Sequence, residues 1–367
     1  MRKSMKKLIA LTLTCLMLAT LFVGCGKKDD GGSSGGDTIK LGWMGSLTGD
    51  QAAYGTCESQ TLKMLVEDLN ANGGLLGKQV ELICYDTKGD AQEAVNVAKR
   101  LCAQDQVCAI IGPNASGQCI AIQSVLDQYK ISDMSTVATN EKVTMQDGQL
   151  KEYNFRVCFL DPFQGSVMAS FAMEEFGAKK AYVLSMLGDD YTVGLAKNFV
   201  IAFEAAGGEI VADETFVEGT ADFSAYLNNA VSGGADVIFA PSAIAYAPQI
   251  IEQASALGVS LPILGGDTWE NSAISDAQNG TDMQVFVSTF FDENDESGLA
   301  KEFVSGYKAW LNGNAQNLTN NGGNDVVAAV SALGYDAYMA AVAAIEKAQS
   351  ADGSAIESES LLSRLPA

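Results

Sequence analysis

The chain contains the same order of apolar segments and turns twice, and this repeat limits its possible folds more than any other feature. Residues 38–113 and residues 180–241 each read as strand, loop, helix, strand, helix and strand, and the first helix of each copy ends at a Gly-Gly pair. Strands that alternate with helices form a parallel sheet covered by helices on both faces. Two copies therefore predict two similar α/β lobes, with a cleft between them that closes on a small ligand.

The first 24 residues have the layout of a secretory signal peptide, because four basic residues precede a short apolar run from Leu8 to Val23. The segment Leu21–Cys25 resembles the lipobox of bacterial lipoproteins, which implies that Cys25 is lipidated. The alternative is an ordinary signal peptide with an incidental cysteine. Residues 25–37 are polar and glycine-rich, so we predict a flexible tether. The expected location is extracytoplasmic, lipid-anchored to the outer face of the cytoplasmic membrane.

The chain is strongly acidic. Its formal net charge is −22, and loss of the first 24 residues, which carry four basic and no acidic side chains, lowers that charge to −26. A surface of this sign repels nucleic acid, so we expect no nucleic-acid partner. The roughly 340 remaining residues suffice for two domains with separate cores.

The order of the predicted elements indicates how the lobes share the chain. The expected boundaries are residues 38–160 and 291–350 for lobe I, and residues 161–290 and 351–367 for lobe II. The first crossover ends at Asp161-Pro162, where aspartate would cap a helix and proline would occupy its first turn. The second is the acidic run 291–296. A calcium site there is the alternative, but the run lacks the ligand spacing of an EF-hand, so we favour a solvated crossover.

Three segments near the C-terminus have their own predictions. Helical patterns cover Leu299–Trp310 and Val326–Gln349, and small residues on the second of these suit close packing against lobe I. The polar stretch Asn312–Asn324 between them is expected to be a surface loop. A last helix is predicted at Ser354–Leu362.

The residue types that usually carry catalysis are missing from the expected places. The chain has no histidine, residues 112–117 lack the lysine of a phosphate-binding loop, and no GxGxxG motif opens a helix after a strand. The six cysteines beyond Cys15 and Cys25 contain no CxxC pair, so we expect no metal site. For these six we favour buried thiols over one or two disulfides. We predict a protein that is not an enzyme and uses no cofactor.

Polar groups follow two adjacent strands of the first copy. Ser116 follows the strand 109–112 and opens a helix at 118–129, so its hydroxyl and the free N–H groups of the helix form an anion site suited to a carboxylate. The alternative is that Ser116 only caps its own helix. The segment Ser135–Asn140, which ends the next strand, adds hydroxyl groups at the same sheet edge, among them Thr139.

A carboxylate occupies a corresponding place in the second copy. Asp267 follows the strand 262–264, and a buried aspartate requires a cationic partner, although Asp267 could instead cap the helix that follows. Tyr54 and Tyr191 lie in matching loops of the two copies, where they would form aromatic walls or simply pack. An anion site opposite a carboxylate predicts a zwitterionic ligand.

These residues resemble those of the solute-binding proteins of branched-chain amino acid ABC transporters, the leucine/isoleucine/valine type of the type I periplasmic binding proteins. The resemblance spans about residues 38–350 and rests on seven segments: Ala52–Gly55, Asn72–Gly77, Ile111–Ser116, Ala138–Asn140, Asp189–Tyr191, Ala221–Ser224 and Pro262–Asp267. It implies two doubly wound, Rossmann-like lobes with parallel sheets, joined by a multi-segment hinge.

The resemblance also implies a function. The protein would capture a zwitterionic amino acid, branched-chain or similarly apolar, and deliver it to the permease subunits of an ABC transporter. The alternatives are an amide- or urea-type protein, another small-solute-binding or ligand-sensing protein of the same superfamily, or an enzyme that uses the cleft. Eight ligand-binding residues follow from the resemblance: Ser116 and Thr139 for the carboxylate, the Val137 carbonyl and Asp267 for the ammonium, and Tyr54, Tyr191, Trp43 and Trp269 around the side chain.

The chain departs from the family pattern in two places. Ser242-Ala243-Ile244 stands where many relatives have Gly-Tyr, which removes an aromatic wall unless Tyr246 reaches the pocket. The preferred side chain of the ligand therefore stays open. The sequence also stops at Ala367, some tens of residues earlier than in relatives, which suggests a truncated, frameshifted or divergent ending of lobe II.

Overall fold

The computed structural model describes residues 38–353, in which strands and helices alternate. The strands are β1 Ile39–Gly45, β2 Val80–Asp86, β3 Ala109–Ile111, β4 Asp133–Ser135, β5 Met145–Gln146, β6 Gln149–Leu150, β7 Asn154–Arg156, β8 Lys180–Met186, β9 Glu209–Phe216, β10 Val237–Phe239, β11 Ile263–Gly265 and β12 Val285–Val287. The helices are α1 Ala52–Ala71, α2 Ala91–Arg100, α3 Ser116–Tyr129, α4 Asp161–Phe176, α5 Asp190–Ala205, α6 Ser224–Ser232, α7 Ala247–Ala256, α8 Ser272–Gln278, α9 Gly298–Asn312, α10 Ala315–Asn320 and α11 Ala329–Ala348.

Lobe I contains a parallel sheet in the order β2-β1-β3-β4-β7. Apolar side chains of α1 and α11 pack against one face of this sheet, and those of α2 and α3 pack against the other. Because both faces are covered, β3 and the middle of β1 are runs of buried residues rather than alternating patterns.

Lobe II repeats this arrangement with the order β12-β11-β10-β8-β9, also parallel throughout. Helices α6, α7 and α8 cover one face, and α4 and α5 cover the other. Taken in chain order, the strands of each sheet follow the same sequence of neighbours, with the second strand at one edge and the first beside it. The predicted fold class, two doubly wound α/β lobes with parallel sheets, is confirmed.

The chain passes between the lobes on either side of lobe II. It leaves lobe I after β7, enters α4, and returns after β12 to α9, α10 and α11. Small residues let α11 lie close to α1: Ala329 and Ala337 are buried, and a Cβ on Gly334 would stand 3.4 Å from Glu58 Cγ. The predicted close packing of this helix on lobe I is therefore confirmed. The boundaries at 160/161 and 290/291 stay predictions.

Several predictions fall beyond the described part of the chain: the signal peptide, the tether, Cys25, the helix Ser354–Leu362 and residues 354–367 of the segment assigned to lobe II. Gly353, the last described residue, lies against Ile131 and the Cys108 carbonyl in lobe I. Within residues 38–353, no helix is long and apolar enough to cross a membrane.

Two local predictions were wrong. Leu160, not Asp161, is the N-cap of α4; Asp161 is already helical and its side chain turns inward, where it is buried. The polar stretch Asn312–Asn324 is not only a loop, because it contains α10. Asn314 caps that helix by accepting a hydrogen bond from the Gln316 N–H, so a residue that signals a turn here starts a helix.

The six cysteines of the described range are free thiols. Cys102, Cys108, Cys119 and Cys158 are buried, as predicted, whereas Cys57 is half-buried and Cys84 is exposed.

Candidate functional site

A narrow cleft lies where the carboxyl ends of the two sheets face each other, because the loops after parallel strands gather at one sheet edge. Nine residues of these loops and the following helices line it: Gln51, Tyr54, Asn114, Ala115, Ser116 and Val137 from lobe I, and Tyr191, Ile244 and Thr268 from lobe II. The space they enclose is about 10 Å³, room for about one water molecule. The walls of the cleft are therefore nearly in contact.

Ser116 lies at the start of α3 in the lobe I wall. The N-cap of this helix is Ala115, which has no side chain to cap with, so the interpretation of Ser116 as a simple cap is wrong. The Ser116 hydroxyl instead accepts a 3.3 Å hydrogen bond from the Asn140 N–H, which ties the loop after β3 to the loop after β4. The turn before α3 needs Gly112, whose φ is +89° and whose added Cβ would clash with the Met44 carbonyl.

Asn114, beside Ser116, is a site residue that the sequence analysis missed. Its side chain is 4% exposed, and neither its amide nitrogen nor its amide oxygen has a partner within residues 38–353. A buried polar group without a partner is costly, and this one lines the cleft. It is therefore a candidate donor or acceptor for a ligand. The only signal in the sequence is its place in the Gly-Pro-Asn-Ala-Ser turn.

Val137 lines the cleft, whereas Thr139 does not. Thr139 is fully buried next to the first crossover, where its carbonyl accepts the Asp161 N–H at 3.0 Å. Burial raises the pKa of Asp161 to about 7, and the hydroxyl of Thr139 beside it opposes this shift. In the structure Thr139 therefore faces the crossover rather than the enclosed space.

Arg156, at the end of β7, holds this loop from behind. Its guanidinium donates to the carbonyls of Ala138 at 2.7 Å and Asn140 at 2.9 Å, and to the Thr144 hydroxyl at 2.8 Å. A planar fork of donors fixes several acceptors at once. Sequence analysis missed this role because a lone arginine at a strand end carries no motif.

Asp267 is the buried carboxylate of the lobe II wall, with an exposure of 1%. Its Oδ1 accepts hydrogen bonds from Gln164 Nε2 and from the Tyr191 hydroxyl, both at 2.8 Å, while Oδ2 has no partner among the described residues. Burial raises the pKa of Asp267 to about 6, and the two hydrogen bonds oppose the shift. The helix-cap interpretation is wrong, because Asn271 caps α8.

Both predicted tyrosines meet at Asp267. Tyr54, from lobe I, donates its hydroxyl to the Asp267 carbonyl across the cleft, and Tyr191 donates to the carboxylate. Both rings are buried, and burial together with the charge of Asp267 raises the pKa of each well above its usual value. The two side chains thus form walls of the cleft and bind its acidic residue.

The two tryptophans do not line the cleft. Trp43 is fully buried under the lobe I sheet, because its position in β1 points it to a helix-covered face. Trp269 is fully buried in the lobe II core, where its indole N–H donates to the Ser242 carbonyl at 3.2 Å and hydroxyl at 3.1 Å. This bond braces Thr268, the cleft residue next to it.

The departure at residues 242–246 has a clear structural outcome. Ile244 lines the cleft at the place where an aromatic residue was expected. Tyr246 does not replace it, because its ring packs edge-on against Phe216 and Phe223 and its hydroxyl donates to Asp50 in lobe I. The wall on this side is therefore aliphatic.

Comparisons with known proteins agree with this geometry. The sequence profile described as "Periplasmic binding protein" matches residues 38–365. The Leu/Ile/Val-binding protein homolog 3 of Brucella melitensis is 28% identical over 323 residues, which cover 88% of this chain and 83% of that protein. The leucine binding protein LivK of Thermotoga maritima superposes with a TM-score of 0.78 and 32% identity, covering 87% of this chain and 86% of that one.

A second solved structure is similar to the same degree. It is the branched-chain amino acid transporter substrate binding protein LivJ of Streptococcus pneumoniae in complex with isoleucine, with a TM-score of 0.77 and 31% identity. The match covers 88% of this chain and 87% of that chain.

Proposed function

The chain belongs to the periplasmic binding protein family, and on that premise we propose that it captures a branched-chain or similarly apolar amino acid and delivers it to an ABC permease. The family implies an extracytoplasmic location. Attachment to the membrane through a lipid on Cys25 is part of the proposal. So is the absence of catalysis, since the cleft would bind its ligand without changing it.

The observation that carries the proposal is the pairing of two unlike walls in one cleft. The lobe I wall presents the N-terminus of α3, where Ala115 supplies no capping side chain and the backbone N–H groups suit an anion. The lobe II wall presents Asp267, whose Oδ2 is buried and has no partner within the described residues. A carboxylate and an ammonium on the same molecule satisfy both walls, so the ligand is a zwitterion.

The residues between these two walls suit an apolar side chain. Val137, Ile244 and the rings of Tyr54 and Tyr191 are buried at the cleft. None of these side chains carries a charge, and both tyrosine hydroxyls are engaged by Asp267. An aliphatic ligand side chain buries its surface here without leaving a polar group unpaired.

Ligand entry requires the lobes to separate, because the enclosed space of about 10 Å³ is too small for an amino acid. The hydrogen bond from Tyr54 to the Asp267 carbonyl joins the two walls and must break or lengthen on opening. Closure of the lobes around the ligand would then remove it from water, and a binding protein of this kind prefers the closed form when loaded.

The test is calorimetry of the mature chain, after unfolding and refolding to remove bound ligand. We expect leucine, isoleucine or valine to bind with a Kd of about 10 μM or lower, and leucinamide and 4-methylpentanoate to bind roughly 100-fold more weakly or worse. The first analogue lacks the carboxylate and the second lacks the ammonium. Absence of heat with every amino acid, or equal binding of either analogue, would refute the proposal.

A further inference from the structure

Gln164 lies behind Asp267, on the side away from the cleft. It belongs to the first turns of α4, just after the first crossover, and its side chain is 1% exposed. Its amide nitrogen donates to Asp267 Oδ1 at 2.8 Å and to the hydroxyl of Ser288, the residue that follows β12. Gln164 therefore joins three segments that are more than 100 residues apart: the start of α4, the loop after β11 and the start of the second crossover.

We propose that Gln164 is a positioning residue for ligand binding, which holds Asp267 so that Oδ2 is the oxygen left for the ligand ammonium. The inference rests on the proposed function. A carboxylate with both oxygens free can rotate, whereas one fixed through Oδ1 presents a single oxygen in one direction. Gln164 does not line the cleft, so its hydrogen bond persists when a ligand displaces groups at the front.

The same contact keeps the carboxylate charged. Burial disfavours the ionised form of Asp267, and the hydrogen bond from Gln164 is the largest of the interactions that oppose it, followed by that from Tyr191. Tyr191 lines the cleft and is open to rearrangement by a ligand, whereas Gln164 is fixed at its other end by Ser288. Gln164 is therefore the constant support of the charge that attracts the ammonium.

Other titratable groups face Asp267 from the surrounding elements: Tyr54 of α1, Cys158 before the first crossover, Asp161 of α4, Tyr191 of α5 and Glu270 after the short helix at 267–269. Burial raises the pKa of Asp161 and of Glu270 to about 7 each. The titration of Asp267 is coupled to both, so its change in a variant is the informative quantity.

The test compares the whole mature chain with its Gln164→Met variant, which keeps the side-chain length and removes the amide. In ligand-free protein with ¹³C-labelled aspartate, assigned through Asp267→Asn, the midpoint of the Asp267 titration should rise by roughly one to two pH units. Leucine affinity at pH 7 should fall roughly 10- to 100-fold. Gln249→Met is the matched control, since that amide bonds only the exposed Ala245 carbonyl in α7 and should change neither quantity.

A second variant, Ser288→Ala, removes the far anchor of the amide without touching Asp267 and should shift the titration in the same direction by a smaller amount. It keeps the inference testable if Gln164→Met folds poorly in a thermal melt. An unchanged Asp267 titration in both variants overturns the inference, even if ligand binding falls, because Gln164 would then be only structural. If the wild-type chain binds no amino acid while the titration shifts as expected, the proposed function fails and the hold of Gln164 on Asp267 stands.

Discussion

The hydroxyl of Tyr246 in lobe II donates a 2.8 Å hydrogen bond to Asp50 Oδ2 in lobe I, beside the cleft and outside it. The same hydroxyl accepts the Gly219 N–H at 3.0 Å, so its position is set within lobe II before it reaches across. A third contact, from Asn140 Nδ2 to the Asp190 carbonyl at 2.7 Å, joins the lobes on another side. These bonds exist only when the lobes are close, so they stabilise the closed form.

Removal of the Tyr246 bridge should weaken all ligands alike. In Tyr246→Phe the ring still packs on Phe216 and Phe223, and only the interlobe bond is lost. We expect the dissociation rate of every bound amino acid to rise roughly 5- to 20-fold, with unchanged selectivity, measured by stopped-flow fluorescence. Tyr226→Phe, which loses a 3.4 Å exposed bond within lobe II, is the control. A change in the order of preferred amino acids would contradict this role.

The charge of Asp267 should decide whether an amino acid binds at all. Asp267→Asn keeps the shape of the side chain and its oxygen acceptor but removes the negative charge opposite the ammonium. We expect leucine affinity at pH 7 to fall roughly 100-fold or more by calorimetry. Binding of 4-methylpentanoate, which has no ammonium, should fall far less. Equal losses for both ligands would mean that Asp267 acts on the fold of the cleft rather than on the ammonium.

Glu58 should make the protein less stable at high pH. The side chain is fully buried between α1 and α11, and burial raises its pKa from 4.5 to about 8, opposed by the nearby Trp43 and Thr136. The folded chain therefore favours the protonated acid, and stability is lost as pH rises from about 4.5 to about 8, on the order of 4 kcal/mol in all.

Glu58→Gln, which mimics the protonated acid, should remove this dependence. In urea unfolding we expect the variant to match the wild type near pH 4.5 and to exceed its free energy of unfolding at pH 9. Glu252→Gln, at an exposed position of α7, is the control. The same pH slope in the wild type and in Glu58→Gln would exclude Glu58 as its source.

Ile244 should tune the preferred side chain of the ligand. It is 7% exposed and forms the aliphatic part of the lobe II wall. Ile244→Ala enlarges the cleft, so valine and isoleucine should lose contacts while phenylalanine gains room, which changes the ratio of their affinities roughly tenfold or more. Competition calorimetry measures the ratio. Ile201→Ala, at a 53% exposed position of α5, should leave the ratio unchanged.

Most of the sheet elements could be predicted from the sequence because their residues bury both faces. The strand predicted at 209–216 matches β9, and those predicted at 39–44 and 80–85 each end one residue earlier than β1 and β2. Helix starts were less accurate. The helix predicted from Ala243 begins at Ala247, because residues 242–246 bond Trp269 and cross to Asp50 instead of continuing as helix.

What the sequence alone determined is the doubled order of strands and helices, and with it two parallel sheets whose loop ends carry Ser116, Tyr54, Tyr191 and Asp267. Local periodicity and burial decide these features within a few residues of the chain. Only the tertiary structure decided that Trp43 and Trp269 lie in the cores, that Tyr246 joins Asp50, and that Gln164 supports Asp267. The partners of Gln164 are 103 and 124 residues away, and no local pattern encodes a contact that forms only when separate segments pack together.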